Sequence, residues 1–538
     1  MSSVESLHTL ETVILFLLVL VAAFAVIAHR LKIPYSIVLV LAGLVISFVP
    51  HIPRIPLEPS LVFLIFLPPL LYSSAWRTSW REFKHNLVLI GLLAFGLVGF
   101  TVWGVAEFSD RFITALDWKA GFLLGAVVST TDAIAATSIA HSLGLPRKIV
   151  DILEGESLLN DAAGLLALEI GVAIIARAEM PTVASGAARL IYLVAGGVLI
   201  GLLIGVVIGW LERFINDGPV ELVVSVVVPY AAYLAAEEAR VSGVLAVVTC
   251  GLYLSRQSAM FFSPEVRLQV TSAWDAITFV LNGIVFVLIG LQMPYVMAAI
   301  HGKYGMTTLV EYGVIFSVML IVLRMVWVFP AVKIASLVRR WRGHEDKELD
   351  NRGTFVIGWT GMRGVLALAA AISVPEAWAN GQPFGPRNLI LFLTFCVILV
   401  TLVLQGLTLP PLIRALGLAG LVGMDPEERA ARRVVLEAAM NYLVKEREFC
   451  GVEHTHVFDD LLDRYRHFLA QVDEGTSEGD EHAREVYQHL LHAGEEAVRQ
   501  ERLALLRLRD EGKISDDVLR TIERELDLED SRYRVVKI

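Results

Sequence analysis

Long apolar runs broken by short clusters of charge fill the first four fifths of the chain, and then the pattern changes. A helix needs roughly 20 apolar residues to cross the hydrocarbon core of a bilayer. Such runs predict about thirteen spanning helices, at 11–28, 34–50, 57–75, 86–108, 119–140, 149–177, 186–211, 219–237, 242–257, 268–294, 309–338, 354–375 and 387–413. Two of them, 34–50 and 242–257, are short. From Asp425 onward apolar residues recur at helical spacing among frequent charges, the pattern of amphipathic soluble helices. Pro426-Glu-Glu after Asp425 reads as a helix start, and Gly475 to Gly479 as a loop. Ala483 to Glu511 reads as a long helix, and Ser515 as the cap of a short closing one. The expected fold is therefore an all-α polytopic membrane protein, a bilayer-embedded domain over 1–424 followed by an acidic helical domain over 425–538.

Composition sharpens this division. The 538 residues are 56% hydrophobic and 19% charged, with a mean hydropathy of +0.64. Soluble domains run nearer 25% charged, which excludes an ordinary cytosolic enzyme. Residues 1–424 carry 27 basic and 27 acidic side chains, whereas 425–538 carry 18 and 28, so the whole net charge of −10 sits on the tail. An acidic tail argues against a nucleic-acid partner or a polybasic lipid anchor. Cys250, Cys396 and Cys450 show no CxxC spacing and imply neither a disulfide framework nor a zinc site. Met1–Glu11 is acidic, and the first apolar run is followed by His29-Arg30-Leu31-Lys32, which reads as a retained span rather than a cleavable signal. Loops after odd-numbered spans carry about 15 Lys and Arg against about 8 after even-numbered spans. By the positive-inside rule the N-terminus is outside and the tail cytoplasmic, in a plasma (inner) membrane. A faint internal echo relates Pro34-Tyr-Ser-Ile-Val-Leu-Val-Leu-Ala-Gly43 to Ser242-Gly-Val-Leu-Ala-Val-Val-Thr-Cys-Gly251, seven spans later, as inverted repeats would.

Polar groups at membrane depth are costly, so their positions carry most of the functional information. Val128-Ser-Thr-Thr-Asp132-Ala interrupts the fifth span. Unwinding there would present backbone carbonyls and Thr131 to a cavity, while Asp132 caps the second half-helix; the plainer reading makes Asp132 a cap alone. The sixth span opens with Gly155-Glu-Ser-Leu-Leu-Asn-Asp161. There Glu156 and Asn160, and likewise Ser157 and Asp161, stack at a spacing of four. A buried carboxylate such as Asp161 holds either a proton or a cation, and so exchanges one for the other; Ser157 supplies a neutral oxygen beside it. The alternative is a structural polar cluster. Glu156 needs a cation, and Arg363 in Trp359-Thr-Gly-Met-Arg363-Gly is one candidate, with Arg324 a second. Arg363 snorkelling to a headgroup is the plainer alternative. Asn282 reads as helix-packing glue, Glu169 as lining an access path or as structural, and Glu237 and Glu238 beside Arg240 as an interfacial solvated group. His141 and His301 are loop residues without an assigned role.

Taken together, Ser129-Thr-Thr-Asp132-Ala, Gly155-Glu-Ser-Leu-Leu-Asn-Asp161 and Gly358-Trp-Thr-Gly-Met-Arg-Gly364 resemble three signature segments of the monovalent cation:proton antiporter family, in its electroneutral sodium/proton exchanger branch. The run Phe66-Leu-Pro-Pro-Leu-Leu also resembles that family, and the resemblance extends from Thr12 to about Leu421. It implies a homodimer, with a dimerisation domain and a six-helix core in which the broken fifth and twelfth helices cross. It further implies Asp161 as the exchanging carboxylate, with Asp132, the Thr131 carbonyl and Ser157 completing a monovalent-cation site. Asn160 would hold the crossing helices, and Glu156–Arg363 would be a structural ion pair. Electrogenic relatives carry an aspartate where Asn160 stands, so the implied exchange is one-for-one, electroneutral and elevator-like, serving pH homeostasis. No cofactor beyond the transported Na⁺, Li⁺ or K⁺ and the proton is implied, nor any enzyme activity. Two departures stand out: Tyr72-Ser73-Ser74-Ala75 lacks the glutamate some relatives place near the ion, and Thr130 replaces a common proline.

Six of the thirteen histidines lie in the tail: His454, His456, His467, His482, His489 and His492. Either they sense pH or they are ordinary solvated side chains; the tail as a whole is expected to modulate transport or reinforce a dimer. Three other functions share parts of the pattern. A potassium/proton antiporter of the same fold is the nearest, and a cation channel the next. An intramembrane aspartyl protease on Asp132 and Asp161 would leave Glu156, Asn160 and Arg363 without a role.

Overall fold

The computed structural model describes residues 3–535 except 32, 50–61, 178–182, 216, 301, 303, 344–348, 379–380, 421–425, 450–454, 473–478 and 512. The boundary read at 424/425, the loop at Gly475–Gly479 up to its last residue, and Cys450, His301 and His454 fall outside the described residues. The chain forms two compact units, Met1–Leu421 and Val422–Ile538.

Helices of the first unit are α1 (Ser3–Leu31), α2 (Tyr35–Ile46), α3 (Leu67–Arg77), α4 (Trp80–His85), α5 (Leu87–Phe112), α6 (Trp118–Ser129), α7 (Ala133–Ser142), α8 (Arg147–Arg177) and α9 (Val183–Leu211). They continue with α10 (Gly218–Glu238), α11 (Gly243–Phe261), α12 (Pro264–Leu291), α13 (Met293–Ile300), α14 (Met306–Trp341), α15 (Asn351–Trp359), α16 (Val365–Ile372), α17 (Arg387–Val400) and α18 (Gly406–Ala415). Among the described residues there is no strand, only an isolated bridge between Ala377 and Pro383. Nine helical stretches are long and apolar enough to cross a membrane among those residues. The other four expected spans are helical but short or interrupted: α2, α3 after a π turn at Val62–Phe66, α11, and the pair α15–α16. A short α2 is tolerable because it is sheathed by protein, with Leu39 and Val40 fully buried.

Exposed apolar stripes run along the outward faces of several helices. On α14, Val310, Val314, Val318, Val322 and Val326 are each more than half exposed and repeat every four residues. On α9, Leu199, Leu203, Val207 and Trp210 are also more than half exposed, at spacings of four, four and three. Inward, the helices sort into two packed groups. One joins α1–α3 with α9–α12; the other joins α5–α8 with α14–α18. We refer to these as the scaffold and the core.

Two core helices are broken at mid-course. Between α6 and α7 the backbone is extended at Thr130 (ψ 138°) and Asp132 (ψ 113°), and Asp132 accepts from the Ile134 N–H at 2.8 Å to cap α7. Between α15 and α16 the chain leaves the helix at Thr360 and re-enters at Val365. In the scaffold, α2 crosses α12 at Gly43, and seven spans later α11 crosses α3 at Gly251, an exchange of partners that mirrors the sequence echo. A Cβ on Gly43 would lie 3.2 Å from Gly290 Cα, and one on Gly251 2.9 Å from Ala75 Cβ.

In the second unit, α19 (Pro426–Phe449), α20 (Thr455–Val472), α21 (Gly479–Asp510) and α22 (Asp516–Val535) are amphipathic. Val498 and Leu505 of α21 pack with Leu519 and Leu526 of α22, and Arg502 pairs with Asp527 at 2.8 Å. Ser515 accepts from the Val518 N–H at the start of α22. His456, His489 and His492 are exposed.

Gly43→Val should destabilise the protein by about 1–3 kcal/mol through overpacking, seen as a lowered Tm in detergent. Gly186→Ala, where a Cβ would meet nothing within 4 Å, should leave the Tm unchanged or slightly raised.

Candidate functional site

The two breaks face one another. The Asp132 N–H donates to the Met362 carbonyl at 2.8 Å, so the extended segments cross within hydrogen-bond reach. Four half-helix ends meet here, and two side chains of opposite charge serve them. Asp132 caps α7, and it also lies against the start of α16: a Cβ on Gly364 would sit 2.7 Å from Asp132 Cβ. Only glycine lets the carboxylate approach that second N-terminus. Arg363 serves the opposite ends. Its Nε donates to the Val128 carbonyl in the last turn of α6 at 3.1 Å, and its Nη1 donates to the Gly361 carbonyl just beyond α15. Carboxylate at helix N-termini and guanidinium at C-termini is the arrangement that helix dipoles favour. The Arg363 N–H is in turn held by the Thr401 hydroxyl at 3.1 Å, at the head of the π turn Thr401–Gln405.

This placement corrects one expectation. Glu156 does not pair with Arg363. Its carboxylate takes Arg324 of α14, with Nη2 to Oε2 at 2.9 Å and a second bond from Nη1, both side chains being 1% exposed. Arg363 is occupied in closing the two C-terminal half-helix ends, and Arg324 reaches Glu156 from the neighbouring helix while also donating to the Ile357 carbonyl of α15 at 3.0 Å. A buried ion pair needs its remaining hydrogen-bonding capacity satisfied, and here the backbone of α15 and Thr131 satisfy it.

The network extends to the break. The Thr131 hydroxyl donates to Glu156 Oε1 at 3.2 Å and accepts from Asn160 Nδ2, while Ser157 Oγ donates to the Thr131 carbonyl at 3.1 Å. Thr131 is therefore fixed by three residues of α8, two through its hydroxyl and one through its carbonyl. Asp161 follows one turn after Ser157. Among the described residues its carboxylate has neither an ion pair nor a hydrogen-bond donor.

Asp161, Asp132, Thr131 and Ser157 line one cavity of about 770 Å³. Its other walls include Tyr35, Ser73, Thr278 and Asn282 from the scaffold, and it extends to His141, Arg147, Asp151 and Glu154 at one end of the core. At that end Arg77 of α3 pairs with Asp275 of α12 at 2.5 Å. Asn160, Glu156 and Arg363 are buried outside the cavity, behind the break. Residue type alone did not point to Tyr35, Thr278 or Thr401; each lies in an apolar run, and only the crossing brings it to the site.

The arrangement offers a hard-cation environment: two carboxylates, a carbonyl and a hydroxyl, with no fixed positive charge among the four. The transmembrane sodium/hydrogen exchanger family matches the chain over residues 15–415. The chain belongs to this family. Among its relatives is an uncharacterized Na(+)/H(+) exchanger of Mycobacterium tuberculosis, 31% identical over 528 residues, covering 96% of this chain and 95% of that protein. The sodium, potassium, lithium and rubidium/H(+) antiporter of Bacillus subtilis is 32% identical over 411 residues, covering 74% of this chain and 60% of that one. The sodium proton antiporter MjNhaP1 from Methanocaldococcus jannaschii has the same fold, with a TM-score of 0.57 at 20% identity over 77% of this chain and 100% of that structure. This exchanger-family chain is thus an integral membrane antiporter, helical in architecture throughout its described residues, and its crossing lies within the matched region.

Arg324→Met alone should cost about 3–5 kcal/mol by stranding Glu156, whereas Arg324→Met with Glu156→Leu should recover most of that loss. Thermal melting of the purified variants measures both.

Proposed function

We propose that this antiporter exchanges one monovalent cation for one proton at Asp161. The observation that carries the reading is the convergence of Asp161, Asp132, the break at Thr131 and Ser157 on one cavity, with Glu156, Arg324 and Arg363 already partnered behind it. When Asp161 is protonated the site has lost a charged ligand and releases its cation; when a cation enters, the proton leaves. Binding of the two is mutually exclusive because both need the same carboxylate. One proton then moves against one cation, no net charge crosses, and the cycle is driven by gradients alone. Asn160, neutral where electrogenic relatives carry an acid, supports that stoichiometry.

Alternating access is elevator-like in this reading. Asp161, Asp132, Thr131 and Ser157 sit on core helices, while Tyr35, Ser73, Thr278 and Asn282 face them from the scaffold. A core displacement would carry the ion past a stationary wall. The end of the cavity at His141, Arg147, Asp151 and Glu154 is the cytoplasmic one, following the bias of basic residues in the loops. A homodimer joined through the scaffold is part of the same reading, supported by the apolar outer faces of α1 and α9. The domain over 425–538 is a cytoplasmic modulator of transport. The natural cation is Na⁺ or Li⁺; K⁺ is the second reading, favoured by Ser73, which puts a neutral hydroxyl where an acid would sharpen selection of the smaller ion.

Purified protein in liposomes loaded with a pH dye tests this. Na⁺ or K⁺ added outside should drive proton movement that is insensitive to a clamped potential and falls to the protein-free level in Asp161→Asn. Flux that survives the substitution, or that needs an imposed potential, overturns the mechanism. In the same assay Ser73→Glu should lower the apparent KM for Na⁺ by roughly threefold or more, because a further carboxylate lining the cavity favours cation entry.

A further inference from the structure

Asp161 is open to the cavity at one end of the core and sealed at the other. Along α8, Asp161, Leu165 and Glu169 share one face at a spacing of four. Leu165 packs against the apolar clusters of both core and scaffold, and Ala162 belongs to one cluster with Val244 and Leu245. This apolar layer lies on the side of Asp161 away from the wide cavity. Beyond it is a second crevice of about 120 Å³, between α5 and α8 of the core and α9–α11 of the scaffold. Its floor includes Ala162 and Leu165, and its polar residues are Glu169, Tyr233, Glu237 and Ser242. The Glu169 carboxylate is held by Arg189 of α9 at 3.1 Å. Arg189 also lies over the ring of Tyr192, 5.7 Å from its centroid, and the Tyr192 hydroxyl donates to the Ala239 carbonyl at 3.4 Å.

We propose that this crevice is the entrance to Asp161 from the opposite face of the membrane, shut here by the Leu165 layer, and that Glu169–Arg189 is the latch holding it shut. The proposal rests on the exchange reading above and adds the second half of its path. The geometry argues for it in three ways. The crevice ends on Ala162, the residue next to Asp161, so only the apolar layer separates them, and a cation does not cross such a layer dry. The ion pair joins a core helix to a scaffold helix, so any displacement of the core strains it. Both partners are about half exposed, which makes the pair weak and breakable in every cycle. Its release frees Glu169 beside Glu237, giving a mouth of two acids that concentrates cations where they enter.

The test uses full-length protein with Cys250, Cys396 and Cys450 replaced and Leu165→Cys introduced, in vesicles of known sidedness. A membrane-impermeant thiol reagent is applied from either side. Labelling from the face opposite the wide cavity should be slow, should rise about fivefold with Glu169→Gln, and should fall back when Glu169→Arg is combined with Arg189→Glu. Unchanged labelling in Glu169→Gln, or a rise equal from both faces, overturns the latch. Sided transport provides a second readout: Glu237→Gln should raise the apparent cation KM about threefold for cation supplied to that face only. An equal change for both faces, or none, overturns the entrance. Labelling requires no turnover, so an absence of cation-driven proton movement in the unmodified protein would sink the exchange reading alone. Normal exchange in the unmodified protein, with no labelling of the Leu165→Cys variant in any latch background, would sink only the gate.

Discussion

Four half-helix ends meet at the centre of this membrane domain, and their backbone groups have to be satisfied where water is scarce. Each unpaired N–H or carbonyl at that depth costs several kcal/mol. The chain meets the requirement with one acid and one base. Asp132 accepts at the start of α7 and lies against the start of α16, while Arg363 donates to the ends of α6 and α15. The same pair of charges opposes the partial charges of the helix termini. Everything else near the crossing follows from this commitment.

Because Arg363 is spent on carbonyls, Glu156 takes its cation from α14, and Arg324 in turn binds the last turn of α15. That chain of bonds ties α8, α14 and α15 into one unit and locks Thr131 through its hydroxyl. A rigid break is what a selective oxygen site needs, since ligands held in place do not have to be ordered when the ion arrives. Asp161 is left outside this network. Asp132 is tied to an N–H and Glu156 to a guanidinium. Beside them, Asp161 is the carboxylate that the hydrogen bonds of the crossing leave untied.

The asymmetry of the surroundings gives that freedom a direction. A polar cavity reaches Asp161 from one end of α8, and an apolar layer closes it from the other. Apolar side chains such as Leu165, Val244 and Leu245 dominate the boundary between core and scaffold on that side, and their contacts are non-directional. Close glycine contacts such as Gly43 on Gly290 hold the scaffold tight within itself. The division of labour is physical: small residues bring scaffold backbones into contact, and buried charges hold the core around its broken helices.

Much of this was legible in the linear chain. Apolar run lengths mark the long helices, since lipid requires continuous internal hydrogen bonding and so a single kind of element. The motif residues Asp132, Thr131, Ser157 and Asp161 stand out because polar groups within apolar runs are rare and costly. What spacing along one helix does not contain is which distant helix lies opposite. Arg324 and Arg363 are both arginines in apolar spans, and either could answer Glu156. Only the crossing, which aims Arg363 at the Val128 and Gly361 carbonyls, decides for Arg324. Tyr35, Thr278, Asn282 and Thr401 likewise acquire their places from packing alone. The linear chain dictates which runs form long apolar helices and where two of them break, because both follow from local transfer and backbone energetics. The tertiary structure alone decided which charges meet, because pairing at that depth depends on the geometry of elements far apart in the chain.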